Sequence, residues 1–301
     1  MIPPGDPENP SPWSKVTVVT PDGYRTIEPK PTAEQLKAYY RDSYYALGRE
    51  NSQYAYTYTP EEIEHKYLAP KESEQFVQTT GTVFEVGCGE GFFLHYFATR
   101  GWAVRGVDFT DDGIKRFFPE LRTRLEIGDV FDLLNREIAS GQKYDLIACN
   151  KVLEHVLEPE TLLLGLQKLL TSKGVCRICV PNDGSWLQHS AIERGHAEPD
   201  FYVVPPAHLS YFTAAPLQAL LARLGFQILD LLADFPIDLF LLNPDTAYTK
   251  EKSKGRNCHF ARIAFEIDLA NRSLHDLIDF RRACARAGIG RGLIAYVANG
   301  S

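Results

Sequence analysis

The chain has 301 residues, 44% of them hydrophobic and 24% charged, which suffices for one large or two small cores and excludes a disordered polymer. Its formal net charge of -7 and pI near 5.7 exclude the broad basic footprint that nucleic-acid backbones require, and favour a small-molecule substrate. No run approaches the roughly 18 apolar residues of a membrane span, and the polar start Met1–Pro12 has no signal-peptide core. The expectation is a cytoplasmic protein, monomeric or homodimeric, with no nucleic-acid and no membrane partner.

Residues 1–30 are rich in Pro, Asp and Thr without periodicity and read as an extended or disordered arm. Thr32-Ala-Glu-Gln35 is a capping-box pattern that starts a helix. A tyrosine cluster follows (Tyr39, Tyr40, Tyr44, Tyr45, Tyr54, Tyr56, Tyr58 and Tyr67), and Thr59-Pro60-Glu61-Glu62 starts a second helix. Residues 31–75 therefore read as an N-terminal helical lid. Its rings either pack against the main domain or close over a site.

From residue 76 to 301 strand and helix patterns alternate, which predicts an α/β domain with a mostly parallel, seven-stranded sheet covered by helices on both faces. Strands are expected at 83–86, 103–107, 124–127, 144–149, 174–180, 226–233 and 292–298, with helices at 92–99, 111–118, 130–139, 159–170 and 213–224. Two cap insertions interrupt the rhythm: an irregular one at about 183–212, and a C-terminal helical one at about 235–291 with helices at 261–270 and 274–287. Cys176 and Cys179 lie three apart on a predicted strand and so point to opposite faces, which argues against a redox or zinc pair.

The densest chemical signal is Glu85-Val-Gly87-Cys-Gly89-Glu-Gly91, directly after the first of these strands. Glycines there let the chain turn sharply and bare its backbone to a ligand at the carboxyl end of a strand. A dinucleotide fingerprint would want a small third residue at position 92, which is Phe92, and Glu85 and Glu90 oppose a pyrophosphate; both features favour a cationic cofactor. Asp108 ends the second strand, where a carboxylate accepts ribose hydroxyls. Asp129 ends the third, with the Val130 amide beside it, and Asn150 ends the fourth. Cys88 and Phe109 complete the candidate set.

On these residues, positions 80–182 resemble the core of class I S-adenosylmethionine-dependent methyltransferases of the small-molecule type. Val83-Phe-Glu-Val-Gly-Cys-Gly-Glu-Gly91 is similar to the family's glycine-rich motif, and Tyr144-Asp-Leu-Ile-Ala-Cys-Asn-Lys-Val-Leu-Glu-His-Val156 to its fourth-strand motif. The resemblance implies a Rossmann-like fold and S-adenosylmethionine as cofactor. It places Gly87–Gly91 around the methionine part, Asp108 on the ribose and Asp129 near the adenine.

Methyl transfer is an in-line displacement, and a hydroxyl acceptor also needs a proton removed, for which histidine suits neutral pH. His155 follows the fourth strand, and His208 sits in Pro205-Pro-Ala-His-Leu-Ser-Tyr211 on a proline-fixed loop. Either is a candidate base, or alternatively a residue that anchors backbone. Tyr211, Arg256 and Arg291 are candidate acceptor contacts, the arginines for an anionic group. Relatives that hold a metal with Glu-x-x-Glu-His have a carboxylate where this chain has Lys151, so no metal is expected. The expected reaction is transfer to a hydroxyl of a sugar, nucleotide sugar or related metabolite of polysaccharide or secondary-metabolite biosynthesis. N- or C-methylation, a nicotinamide-dependent oxidoreductase and a non-catalytic relative remain the alternatives.

Overall fold

The structure is a computed structural model that describes residues 13–40, 57–78 and 80–300. Tyr44, Tyr45, Tyr54 and Tyr56 of the tyrosine cluster lie outside the described residues, as do positions 1–12 of the expected arm.

The described part of that arm is a hairpin: β1 (Thr17–Val19) pairs antiparallel with β2 (Arg25–Ile27). Pro21-Asp22-Gly23 makes the turn, with Gly23 at φ 90°. A Pro-Asp-Gly between two β-branched runs is a hairpin signal that periodicity over so short a segment does not reveal. Ile27 is fully buried with Leu36, Val203 and Leu209, so the hairpin is anchored by a small core of its own.

Both capping boxes form. Thr32 and Gln35 cap α1 (Ala33–Tyr39), and Thr59 and Glu62 cap α2 (Pro60–Lys66), which runs into α3 (Leu68–Glu74). The expected lid is divided in space. Leu36 of α1 packs with the hairpin, whereas Leu68 at the start of α3 packs against Ile263, Ile267 and Leu277 of the C-terminal insertion.

The main domain follows the alternation read from the sequence: β3 (Thr82–Val86), α4 (Phe92–Ala98), β4 (Ala103–Asp108), α5 (Asp112–Phe117), β5 (Leu125–Ile127), α6 (Val130–Ala139), β6 (Tyr144–Asn150), α7 (Pro159–Leu169) and β7 (Leu170–Pro181). Within the first insertion, expected to be irregular, Ser185 caps α8 (Trp186–Glu193), and β8 (Ser210–Tyr211) joins the N-terminal hairpin. There follow α9 (Ala214–Arg223), β9 (Phe226–Ala233), α10 (Ser253–Arg272), α11 (Leu274–Ala287) and β10 (Gly292–Asn299). The α10 helix begins eight residues before the apolar pattern at 261–270, because its first turns are polar and amphipathicity marks only the packed part.

The seven strands lie in the order β5-β4-β3-β6-β7-β10-β9, all parallel except β10, which is antiparallel to both neighbours. Alternation divides the core into two layers. Phe84, Val86, Ile147, Cys149, Cys176 and Ile178 face one layer, whereas Val83, Leu146, Ala148, Val175, Cys179 and Tyr296 face the other. Cys176 and Cys179 thus point apart as expected, and all six cysteines are free and buried.

Candidate functional site

The loop after β3 depends on its glycines. Gly87, Gly89 and Gly91 take φ of 67°, 50° and 83°, left-handed values that strain any residue with a Cβ. At Gly87 a Cβ would also come within 2.4 Å of Val152 Cγ2. The Gly89 N–H donates to Asp108 Oδ2 at 2.8 Å and the Thr110 N–H to Oδ1 at 3.2 Å, so the end of β4 is tied to the loop. Burial raises the Asp108 carboxyl above its ordinary range, and these backbone donors oppose the rise.

Beside the loop lies a cavity of about 290 Å³ at the carboxyl ends of the parallel strands. Gly87, Gly89, Asp108, Phe109, Asp129 and Val130 line it, so six sequence-predicted cofactor positions meet there. Asp129 is also a cap: its Oδ1 accepts the Phe131 N–H at 3.0 Å, while Oδ2 lies 3.6 Å from Lys37 Nζ.

Glu85, Cys88, Gly91 and Asn150 are not among the lining residues. Gly91 caps α4, and Cys88 is buried in the layer beneath. Glu85 and Asn150 belong to a polar row on one face of the sheet. Asn150 Nδ2 donates to Glu85 Oε1 at 3.2 Å, Arg177 donates to Asn150 Oδ1 and, at 3.2 Å, to the Tyr296 hydroxyl, and that hydroxyl donates to Glu72 Oε1 at 2.8 Å. Strand alternation dictates this, because Phe84 and Val86 face the other layer.

The electrostatic expectation for the loop changes accordingly. Burial pushes the Glu85 carboxyl up to about 8, so it is largely neutral at pH 7, and Glu90 is paired with Lys66 Nζ at 2.6 Å. Asp108 and Asp129, and not either glutamate, are the carboxylates that line the cavity.

The two histidines do come together. The one-turn helix Leu153–His155 sets His155 on the cavity wall, and the loop before β8 lies against it, with the Leu209 N–H donating to the Glu154 carbonyl at 2.7 Å. His155 Nδ1 contacts the Ala207 carbonyl at 2.5 Å, which assigns its proton to Nδ1 and its lone pair to Nε2. Burial lowers the His155 pKa and Glu154 opposes it, so the ring is neutral at pH 7. The His208 ring stands 4.9 Å from that of His155, centroid to centroid, and does not line the cavity. Its Nδ1 lies 3.6 Å from Asp183 Oδ2. Glu154, His155 and His208 bring ligand-type atoms within 4.8 Å of one another, a grouping of the kind that can hold a metal ion.

The three expected acceptor contacts are used otherwise. The Tyr211 hydroxyl donates to the His208 carbonyl at 2.8 Å and accepts the Val204 N–H at 3.2 Å, which pins the histidine loop. Arg291 donates to Asp183 Oδ1 at 2.8 Å and lies 3.9 Å from Asp238 Oδ2, so two carboxylates already balance it. Arg256 is exposed on the first turn of α10, its guanidinium 5.1 Å from the Phe260 ring centroid. None of the three lines the cavity.

Sequence reasoning missed the far wall. Leu36, Lys37 and Tyr40 face the cavity from α1 and its cap, with Tyr40 stacked on Phe109 at 5.8 Å. Lys151 lines it from a left-handed backbone at φ 59°, a rare state for a lysine and one that collects at functional sites. Among the described residues, no helix is long and apolar enough to cross a membrane.

Comparison with known proteins agrees with this geometry. The family profile described as "Methyltransferase domain" matches residues 57–231, more than half of the chain. The ubiquinone biosynthesis O-methyltransferase of Nitrosomonas europaea is 33% identical over 98 residues, covering 31% of this chain and 40% of that protein. The protein of the same name from Haemophilus ducreyi is 32% identical over 99 residues, covering 31% and 42%. The chain thus spans about two fifths of the length of these curated relatives. Among solved structures, a SAM-dependent methyltransferase from Archaeoglobus fulgidus aligns at TM-score 0.51 and 19% identity, over 85% of this chain and 99% of that one. The 1,6-didemethyltoxoflavin-N1-methyltransferase of Burkholderia thailandensis aligns at TM-score 0.52 and 13% identity, over 95% and 99%, and both share the fold. With its glycine cradle, acidic strand ends and seven-stranded sheet matched by the family profile, the chain belongs to the class I S-adenosylmethionine-dependent methyltransferases.

Proposed function

We propose that the chain transfers a methyl group from S-adenosylmethionine to a hydroxyl oxygen of a small polar acceptor, a sugar or nucleotide sugar foremost, with His155 as the base. The observation that carries this reading is His155 itself: a neutral imidazole on the cavity wall, its Nδ1 held by the Ala207 carbonyl, which leaves Nε2 as the basic nitrogen.

The residues present fit the cofactor. Gly87 and Gly89 bare left-handed backbone, and at Gly87 a Cβ would collide with Val152, which suits the methionine part. The Asp108 oxygens each accept one backbone N–H and keep a further lone pair for a ribose hydroxyl. Asp129, Val130 and Phe131 would flank the adenine. Bound there, the cofactor supplies an electrophilic methyl carbon. The chain orients the acceptor, excludes water and takes the hydroxyl proton at His155 Nε2. His208 stands behind His155 as a positioning residue, and α1 with Tyr40 serves as the lid.

A second acceptor class has an observation in its favour. Leu36, Tyr40, Phe109, Val156 and Leu157 give the cavity an apolar, aromatic wall suited to a phenolic ring, and the relatives above are named for ubiquinone biosynthesis. A screen of labelled-methyl transfer to nucleotide sugars and to catechols tests both. Transfer to a hydroxyl of either class supports O-methylation, and transfer to nitrogen or carbon alone overturns it.

A further inference from the structure

We propose that Glu154 is a positioning residue for this reaction, its carboxylate placed to receive the positive charge that forms on His155 when the acceptor hydroxyl gives up its proton. The inference rests on the reading of His155 as the base.

Glu154 is 1% exposed, and neither of its carboxylate oxygens has a hydrogen-bond donor among the described residues. Buried carboxylates are ordinarily satisfied, and others near the site have at least one oxygen hydrogen-bonded. Glu72 and Glu266 share Arg281, Asp238 accepts from Gln188 and Tyr248, and Asp183 accepts from Arg291. Glu154 stands apart from them. His155 Nε2 lies 3.8 Å from its Oε1, beyond hydrogen-bond range but within reach of a small movement.

Because the Ala207 carbonyl fixes the resting proton on Nδ1, Nε2 has no hydrogen to offer Glu154 before reaction. Proton transfer reverses this. The acceptor O–H bond breaks, an N–H bond forms at Nε2, and the oxygen uses the freed pair to bond the methyl carbon, while the carbon–sulfur pair stays with sulfur. The positive charge that began on the sulfonium thus ends on the imidazole, 3.8 Å from a carboxylate with no donor among the described residues. An interaction realised only as the reaction proceeds lowers the barrier without tightening ground-state binding.

Other groups face His155 as well. His208 meets it from the loop before β8, Lys151 from the end of β6, and Tyr40 from the cap of α1 with rings 6.4 Å apart. His208 and Lys151 disfavour the imidazolium and Glu154 favours it. The Asp183 charge behind His208 is already balanced by Arg291.

The test compares wild type with Glu154→Gln, which keeps shape and removes charge, and with Glu154→Asp. NMR titration of the histidine ring nitrogens, which needs no acceptor, should show the His155 titration moving to lower pH in Glu154→Gln. With the acceptor, kcat should fall about 10- to 100-fold while KM for S-adenosylmethionine, S-adenosylhomocysteine binding and the melting temperature hold, and Glu154→Asp should recover part of the rate. An unmoved His155 titration overturns the proposal, as does kcat within twofold of wild type or a rate loss that merely tracks lost cofactor binding. A chelator that abolishes wild-type activity, with Mg²⁺ or Mn²⁺ restoring it and Glu154→Gln no longer binding the ion, would overturn it in favour of a metal held by Glu154, His155 and His208. If no acceptor is methylated yet the titration moves, it is the reading of His155 as the base for O-methylation that fails, separately from its coupling to Glu154.

Discussion

His155 and His208 meet nearly edge to face, with ring centroids 4.9 Å apart and planes at 75°, although they come from separate loops on the two sides of α7, β7 and α8. His155 alone reaches the cavity; His208 is backed by Asp183, which Arg291 in turn holds. Burial raises the Asp183 pKa, but Arg291 and His208 outweigh it and keep the carboxyl below its ordinary range.

The pH dependence follows from the lowered His155 pKa. The rate should rise with pH as the base loses its proton, with its acidic limb below the ordinary histidine value of about 6.5. The unfolded chain binds that proton more readily than the folded one, so stability should also fall as pH drops through the ordinary histidine range. A pH profile of kcat/KM checks the first point. An acidic limb above 7 contradicts it.

Glu85 has the opposite linkage. Its folded pKa is raised to about 8 from 4.5, so its contribution to stability is intact at acid pH and is lost as pH climbs towards 8. Glu85→Gln imitates the neutral form and should escape that loss, by at most about 1.4 kcal/mol per pH unit. Melting temperatures of the two proteins should diverge between pH 5 and pH 8, with the variant higher. Parallel curves would show that Glu85 is ionised in the folded state.

Gly87→Ala puts a Cβ 2.4 Å from Val152 Cγ2 on a backbone at φ 67°. Strain of about 1–2 kcal/mol should displace the loop and weaken S-adenosylhomocysteine binding about tenfold or more by calorimetry. Unchanged affinity would place the cofactor away from this loop.

Arg291 and Arg256 should behave differently on substitution. Arg291→Met strands Asp183 without its cation and should destabilise the fold by about 3 kcal/mol. Arg256→Ala, on an exposed helix turn, should stay within about 0.5 kcal/mol of wild type. Denaturant melts measure both, and a stable Arg291→Met would return that arginine to the list of acceptor contacts.

The sequence carried the sheet because strands announce themselves by alternation and by what ends them: all seven lie where the apolar runs and the acids at 108 and 129 put them. It brought Gly87, Gly89 and Asp108 to the wall of one cavity for the same reason. Alternation also held the information that Glu85 faces away from Val86 and hence from the cavity, a consequence easily overlooked when a motif is read as a string. The α1 wall was not legible, since what Leu36 and Tyr40 touch depends on where the hairpin carries them. The fate of Arg291 was equally hidden, because Asp183 and Asp238 reach it only through tertiary packing.

The most direct measurement is transfer of labelled methyl from S-adenosylmethionine to the acceptor hydroxyl by wild type and by His155→Ala, with S-adenosylhomocysteine binding followed alongside. The account predicts that the variant binds S-adenosylhomocysteine as wild type does while kcat falls about 10²- to 10⁴-fold. Full activity in His155→Ala, with cofactor binding intact, would contradict the assignment of the base.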